Sequence, residues 1–454
     1  MDYRIEKDSL GEIRVPAGRL WGAQTQRSFE NFPIGEEKMP RQILAALALL
    51  KKVCAEVNRS LGVLDEERAD LIIRVCNSIL AGNFDGEFPL SVWQTGSGTQ
   101  TNMNLNEVIA NSGNRLAGKP LLHPNDHVNR SQSSNDTFPT GLHIAFVRAI
   151  RERVEPALEK MIDVLRRLEA ENEGIVTVGR THLQDAVPLS FSQEISGWRS
   201  MIERSLEAIH TAADGLLDLA IGATAVGTGL NAPKGFGEAV AAGLAKETGL
   251  PFRSADNKFR ALSARDDVCF AHGALKTLAA DLLKIANDVR WLASGPRCGL
   301  GEITIPENEP GSSIMPGKVN PTQCEALSMV AVQVMGNDTA VGIAASQGNF
   351  QLNVYLPLLA YNCLQSANLL ADAVLSFTER CLCGLKPNRE KMEENLHRSL
   401  MLVTALSPKI GYDRAAEIAK AAHKNGTSLR EEALKSGLLS AAEFDELIDP
   451  KKMI

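Results

Sequence analysis

One segment of the chain, residues 311–321, concentrates reactive and ligand-binding side chains between glycines and prolines. It carries the hydroxyls of Ser312 and Ser313, the ammonium of Lys318 and the carboxamide of Asn320. Glycine lets a backbone approach a ligand closely, and proline reduces the entropy that a loop loses when it orders. Such a loop can surround a small polar anion and reach its reacting atom. The alternative is an exposed turn, which clusters of Gly, Pro and Ser commonly form.

The segment does not match the phosphate-binding P-loop. That motif has four residues between its glycines, and a Ser or Thr follows its lysine. Here five residues separate Gly311 from Gly317, and Val319 follows the lysine, so that no hydroxyl is placed to hold magnesium.

Four more polar clusters lie earlier in the chain. Residues 95–102 place hydroxyls between glycines, which can present N–H and O–H groups to an anion or form an ordinary turn. Residues 123–126 and 131–136 follow, and the latter precede a long helical pattern, where they can cap the helix or help its N-terminus to bind a carboxylate. Residues 179–186 set His182 among polar side chains, and histidine titrates near neutral pH.

The remaining candidate ligands give no metal site. Five histidines do not lie in a polar cluster of the sequence, and we interpret them as structural or surface residues: His143, His210, His272, His397 and His423. No set of His, Cys and acidic residues has the spacing of a metal site, and the pair Cys381 and Cys383 is a weak signal by itself. The sequence therefore predicts no metal.

The elements that position these clusters are predicted to be long helices, because alanine and leucine are abundant and aromatic residues are few. The clearest apolar seam has spacings of three and four: Leu275, Leu278, Leu282, Ile285, Val289 and Leu292. Its helix should begin near residues 264–267 and end at 294–296. A second pattern runs from Phe146 to Leu168, and Pro156 should kink or restart it. Further helices are predicted at about 192–217 and 322–333.

Long helices with apolar stripes favour a bundle, often one that packs between subunits. We therefore predict a mainly α, three-domain fold. Residues 1–132 form a mixed helical domain with ligand-binding loops, 133–388 form the central long-helix bundle, and 389–454 form a small helical domain.

Composition excludes several classes of protein. A chain of 454 residues is long enough for two or three domains, and its formal charge of −7 argues against a nucleic-acid-binding protein. No apolar run approaches the roughly 18 residues of a membrane span. Eight scattered cysteines and an N-terminus without an apolar signal core predict a reducing, cytoplasmic location.

The segment at 311–321 resembles the signature loop of the fumarase/aspartase superfamily of lyases, with its Gly-Ser-Ser-x-Met-Pro-x-Lys-x-Asn-Pro pattern. The other clusters match in the same order, and the resemblance extends over essentially the whole chain. Within the superfamily the sequence is most similar to class II fumarases, which have Gly-Arg-Thr-His-Leu-Gln-Asp at residues 179–185. Aspartases carry Gln where His182 stands.

The resemblance implies reversible hydration of fumarate to (S)-malate, as in the tricarboxylic acid cycle, by a homotetramer whose sites take residues from three subunits, without a metal or organic cofactor. It implies that Ser312 is the base at carbon, assisted by Lys318. It further implies that His182 acts on the water side, where Glu325 orients it. The implied carboxylate- and water-binding residues are Ser97, Gly98, Thr99, Ser133, Ser134, Asn135, Thr181, Ser313, Lys318, Val319 and Asn320.

Two alternatives remain open on the sequence, an aspartase-like ammonia-lyase and a non-catalytic structural relative. There is also one departure from the family pattern. Many fumarases carry an arginine before the accessory anion site, whose matching residues are His123, Pro124, Asn125 and Asp126. Because residues 119–122 here are Lys-Pro-Leu-Leu, anion binding at that site is in doubt.

Overall fold

Helices dominate the computed structural model, which describes residues 2–454. The α-helices of the first part of the chain are α1 (Ala23–Asn31), α2 (Arg41–Ser60), α3 (Glu66–Leu80), α4 (Thr99–Ala117), α5 (Ser134–Ala149), α6 (Glu155–Glu171), α7 (Phe191–Ala213), α8 (Phe236–Thr248) and α9 (Lys258–Ser263). The second part contains α10 (Asp266–Leu292), α11 (Thr322–Ala345), α12 (Leu356–Arg380), α13 (Arg389–Arg398), α14 (Ser407–Ile410), α15 (Tyr412–Asn425), α16 (Leu429–Lys435) and α17 (Ala441–Leu447). The prediction of a mainly α protein is confirmed.

The strands within residues 2–454 form four small two-stranded sheets. Three pairs are antiparallel, namely β1 (Tyr3–Asp8) with β2 (Gly11–Pro16), β3 (Val176–Thr181) with β4 (Gln184–Ser190), and β7 (Ile303–Thr304) with β8 (Lys386–Pro387). The parallel pair is β5 (Asp218–Leu219) with β6 (Arg253–Ser254).

Helix α10 confirms the apolar seam read from the sequence. It begins at Asp266 and ends at Leu292, and the seam residues from Leu275 to Val289 are fully buried. Gly295 follows with a φ of 117°, a conformation that only glycine adopts readily, and so the helix stops there.

The proline in the second pattern is preceded by a π-helical turn. Helix α5 ends at Ala149, a π-helical turn spans Ile150–Val154, and α6 begins at Glu155 directly before Pro156. The backbone keeps right-handed helical dihedrals at Ile150 and Glu155, and the N–H of Glu155 donates to the carbonyl of Ile150, so α6 follows α5 through the π turn without a break. The predicted helix at 322–333 is longer than expected and extends to Ala345.

Contacts divide the chain into two compact units. The first contains residues up to Pro156 together with Ser205–Ala279 and Val330–Ala371. In it α2 packs against α5 so closely that a Cβ at Gly141 would lie 2.7 Å from Leu47 Cδ2. The three-domain division remains a prediction.

The second unit contains Ala157–Arg204, Ala280–Met329 and Asp372–Ile454. Its C-terminal helices enclose a buried apolar cluster that includes Leu406, Ile418 and Phe444. Val178 of β3 belongs to the same cluster, and so the hairpin formed by β3 and β4 is anchored in the core of this unit. No helix of the described chain is long and apolar enough to cross a membrane.

Acid should destabilise the protein through His143, which is buried on α5 with Nδ1 3.0 Å from the carbonyl oxygen of Asp218. Burial lowers the pKa of His143 to about 3, whereas an unfolded histidine titrates near 6.5. Its contribution to stability is therefore present above pH 6.5 and is lost as the pH falls, at about 1.4 kcal/mol per pH unit, or about 2 kcal/mol by pH 5.

Thermal unfolding at several pH values tests this expectation, with His143→Asn as the matched variant that keeps an amide donor near the position of Nδ1. Its midpoint should fall less between pH 7 and pH 5 than that of the parent. Burial raises the pKa of Asp136 to about 7, which makes its contribution to stability change with pH in the opposite direction. Because the parent and the variant both contain Asp136, that contribution cancels when their pH slopes are compared. Equal pH slopes for the two proteins would contradict the prediction.

Candidate active site

The loop at 311–321 lies between β7 and α11 and is closed by its own backbone. The N–H of Gly311 donates to the carbonyl of Lys318 at 2.7 Å, and Asn320 Nδ2 donates to the carbonyl of Gly311 at 2.8 Å. Residues 313–319 are exposed and can therefore meet a ligand. The loop thus has a fixed base and an accessible tip.

Ser312 has an unusual environment within this loop. Its Oγ accepts hydrogen bonds from the backbone N–H groups of Ile314 at 3.2 Å and Met315 at 3.0 Å. Two N–H dipoles that converge on one oxygen stabilise negative charge there. The Nζ of Lys318 donates to Asn320 Oδ1 at 2.6 Å, which brings the ammonium and the carboxamide together. The geometry fits a serine that must carry charge while it takes a proton.

His182 lies at the tip of the hairpin between β3 and β4. Thr181 pairs with Gln184, so His182 and Leu183 are the two turn residues, with φ values of 56° and 59°. A two-residue hairpin turn with positive φ at both positions is normally formed by Asn-Gly, because other residues are strained there. Strain of this kind is found most often at functional sites. The turn leaves the His182 side chain exposed.

A buried ion pair fixes this hairpin two residues before His182. Both Nη atoms of Arg180 donate to the carboxylate of Glu302, at 2.7 and 2.6 Å, and the Glu302 side chain is fully buried. Asn395 of α13 donates to the same carboxylate at 2.8 Å. Glu302 also precedes β7 and the signature loop. One carboxylate therefore connects the hairpin, the approach to the loop and the C-terminal helices.

Removing this charge should cost both stability and activity. We expect Glu302→Gln to lower the unfolding free energy by about 3 kcal/mol, because it leaves the Arg180 charge without a partner. It should also reduce turnover, since His182 follows Arg180 closely. Glu379→Gln is the matched control, because Glu379 forms an exposed ion pair with Lys160 and its loss should change the unfolding free energy little. Equal effects in chemical denaturation would contradict the assignment.

Glu325 lies exposed in the first turn of α11. In residues 2–454, neither its carboxylate nor the imidazole of His182 makes a side-chain hydrogen bond or ion pair. The structure of one chain therefore does not bring together the pair that the sequence suggests.

The first cluster starts α4. The hydroxyls of Ser97 and Thr99 lie 2.8 Å apart, and Gly98 between them has a φ of 72°. A Cβ at Gly98 would lie 2.1 Å from Phe138, so glycine is required by both conformation and space. The two hydroxyls consequently lie together at the N-terminus of a helix, where an anion is stabilised.

The third cluster starts α5. Ser133 and Asp136 form a capping box, while Asn135 Nδ2 donates to the carbonyl of Ala225 at 2.9 Å. Ser134 Oγ accepts from Asn102 Nδ2 of α4 at 2.9 Å. Thr137 Oγ1 also donates to Asn102 Oδ1 at 3.2 Å, so two hydrogen bonds join the starts of α4 and α5, which the sequence did not reveal.

The accessory cluster forms a different environment. His123 caps a π-helical turn at Pro124–Val128, and its Nδ1 accepts from the N–H groups of Asn125 and Asp126 at 3.3 and 3.2 Å. The adjoining cavity of about 490 Å³ is lined by Lys7 and by three acids, Glu6, Asp8 and Glu107, of which Glu6 and Asp8 form ion pairs with Arg4 and Arg27. The missing arginine is therefore the reason to expect weak anion binding there. Within the described chain no group of three His, Cys, Asp or Glu is placed to hold a metal.

Comparison with known proteins identifies the family of the chain. The lyase family model matches residues 11–336, and the fumarase C C-terminus model matches residues 402–454. A class II fumarate hydratase of Bacillus cereus is 60% identical over 458 residues, covering 100% of this chain and 99% of that protein. One of Helicobacter pylori is 59% identical over 459 residues with the same coverage. The crystal structure of a class II fumarase from Schistosoma mansoni has a TM-score of 0.97 at 44% identity, covering 100% and 99% of the two chains.

Proposed function

The chain belongs to the lyase family that contains the class II fumarate hydratases, and from that membership we infer that it catalyses the reversible hydration of fumarate to (S)-malate. It is a carbon–oxygen lyase of the tricarboxylic acid cycle. The observation in the structure that best supports this chemistry is the Ser312 oxygen, which accepts two backbone N–H groups.

We propose that Ser312 removes the proton from the carbon next to a malate carboxylate. Loss of that proton places further negative charge on the carboxylate, so the site must stabilise the resulting dianion more strongly than the substrate. Lys318 and Asn320 are close enough to each other to share that carboxylate. The N–H groups of Ile314 and Met315 lower the cost of forming the serine alkoxide.

At the carbon that carries the hydroxyl group of malate, His182 protonates the departing hydroxide through water. Glu325 orients the imidazole and stabilises its protonated form. Because the two side chains are exposed and make no contact in one chain, we propose that they meet in the assembled oligomer. The remaining residues hold carboxylates and water: Ser97, Gly98, Thr99, Ser133, Ser134, Asn135, Thr181, Ser313 and Val319.

The proposed assembly is a homotetramer with sites shared among three subunits, located in the cytoplasm. Its support is the apolar surface of the long helices. Phe270 and Trp291 of α10 are 62% and 51% exposed, and Met329 and Val332 of α11 are 68% and 60% exposed. Large apolar side chains on such helices are typical of subunit contacts.

A direct assay tests the proposed reaction. Adding malate to purified, chelator-treated protein in air should raise the absorbance of the conjugated double bond of fumarate, whereas aspartate should give no signal. A well-folded tetramer without turnover would favour the non-catalytic relative. Activity that disappears on chelation and returns with added metal would contradict the metal-independent mechanism.

A further inference from the structure

Lys51 is an ammonium group in the interior of the first unit. It lies on α2 with no exposed surface, and its Nζ donates to Asn129 Oδ1 at 2.8 Å and Gln132 Oε1 at 2.9 Å. Both acceptors are neutral, and across residues 2–454 the ammonium has no ion-pair partner. Lysine is almost never fully buried unless it is paired.

The surroundings do not neutralise this charge. Desolvation lowers the pKa of Lys51 to about 8, which leaves most of the group protonated at neutral pH. Asp136 is buried as well, and desolvation raises its pKa to about 7, so it supplies only part of a counter-charge. Burial raises the pKa of the thiols of Cys54 and Cys76, which therefore stay neutral. A buried, incompletely balanced charge costs stability, and its retention requires another reason.

A chain of amides leads from this ammonium to the start of α5. Asn129 Oδ1, which accepts from Lys51, also accepts from Asn102 Nδ2 at 3.2 Å. Asn102 Nδ2 in turn donates to Ser134 Oγ at 2.9 Å. Because Asn102 Nδ2 can only donate, the O–H of Ser134 is left to donate to another acceptor. Asn129 Oδ1 accepts from Lys51, from Asn102 and, at 3.2 Å, from Asn106 Nδ2, so Lys51 helps to hold the amide oxygen that places Asn102 against Ser134.

We propose that Lys51 is a positioning residue that orients Ser134 through Asn129 and Asn102 and adds positive potential where a substrate carboxylate binds. The inference rests on the proposed function, since it takes the start of α5 as part of the fumarate site. Lys51 would act before the chemical step, on the bound dicarboxylate, and its loss should raise KM more than it lowers kcat.

The test is Lys51→Met, which keeps an unbranched side chain, one heavy atom shorter, and removes the charge. We expect KM for fumarate and the inhibition constant of succinate to rise about 10-fold, the effect of one unit charge at moderate distance in a protein dielectric of about 20. Loss of the buried charge favours the variant, whereas loss of the donor to Gln132 Oε1 disfavours it, so the melting temperature serves only to show that the variant is folded. A purely structural lysine predicts normal KM and normal succinate inhibition in the folded fraction.

Lys52→Met is the matched control. Lys52 is the next residue of α2 but forms an ion pair with Glu247 at 2.7 Å, outside the amide chain, and its loss should leave KM unchanged. If Lys51→Met does not fold, Lys51→Gln retains a neutral donor and serves for the same comparison. A parent-like KM and succinate inhibition in either variant would overturn the proposal. The parent's own turnover in the same assay reports separately on the proposed function.

Discussion

Ser312→Ala should reduce kcat by about 10²–10⁴-fold, the usual contribution of a general base, while the protein keeps the fold and the oligomeric state of the parent. The physical reason is the pair of N–H groups of Ile314 and Met315 that converge on the Ser312 oxygen. They prepare this oxygen to carry charge, and alanine leaves them without an acceptor. Steady-state rates of fumarate hydration and of malate dehydration should fall together, because the group that removes the proton from malate also returns it in the reverse reaction.

Ser313→Ala is the natural comparison. Ser313 is the adjacent exposed hydroxyl, proposed to bind a carboxylate, and its loss should act mainly on KM. Near-normal kcat for Ser312→Ala in a folded tetramer would exclude the base assignment and leave Ser312 as a binding residue. The contrast between neighbouring serines separates proton transfer from binding within one loop.

The second large effect is expected for His182→Asn, which should lower kcat about 10²–10⁴-fold with little change in KM. Asparagine is a suitable replacement because it tolerates positive φ better than most residues, so the turn between β3 and β4 should persist. Leu183→Asn is the control in the same turn, where φ is 59° and no catalytic role is proposed. Its turnover should match the parent. An unchanged rate for His182→Asn would return the histidine to a structural role.

Glu325→Gln extends this test to the proposed pair. If Glu325 charges and orients His182, the double variant with His182→Asn should lose little more than the histidine variant alone, because both act on one proton transfer. Losses that simply multiply would show that the two residues work independently.

Part of the structure followed directly from the sequence. The seam of α10 could be predicted because apolar residues spaced by three and four lie on one helical face, and an irregularity near Pro156 was expected because proline lacks an N–H. The Gly-Ser-Ser loop was identifiable because its residue types are unusual together. Its internal hydrogen bonds were not predicted.

Other features were invisible for physical reasons. The residues at 182 and 183 are His and Leu, which carry none of the Asn-Gly signal of a hairpin turn, so tertiary packing of Val178 overrides the local preference. Lys51 and Lys52 are identical in type and adjacent in sequence, yet the first is fully buried. Lys51 lies on the buried face of α2 with Leu47 and Cys54, but its two acceptors, Asn129 and Gln132, come from a distant part of the chain that the pattern does not indicate. The proposed contact of His182 with Glu325 depends on assembly, which residue patterns do not encode.

The turn that carries His182 also has a consequence for adaptation to heat. Two strained residues in succession lower the stability of the fold. Selection for thermostability can recover that stability by substitution towards Asn-Gly, the sequence that adopts this turn without strain. The two positions are not equivalent under such selection. At 183 the change relieves strain and leaves the imidazole in place, whereas at 182 the same gain removes the proposed acid. Thermostable descendants that keep their activity should therefore accumulate glycine or asparagine at 183 and retain histidine at 182.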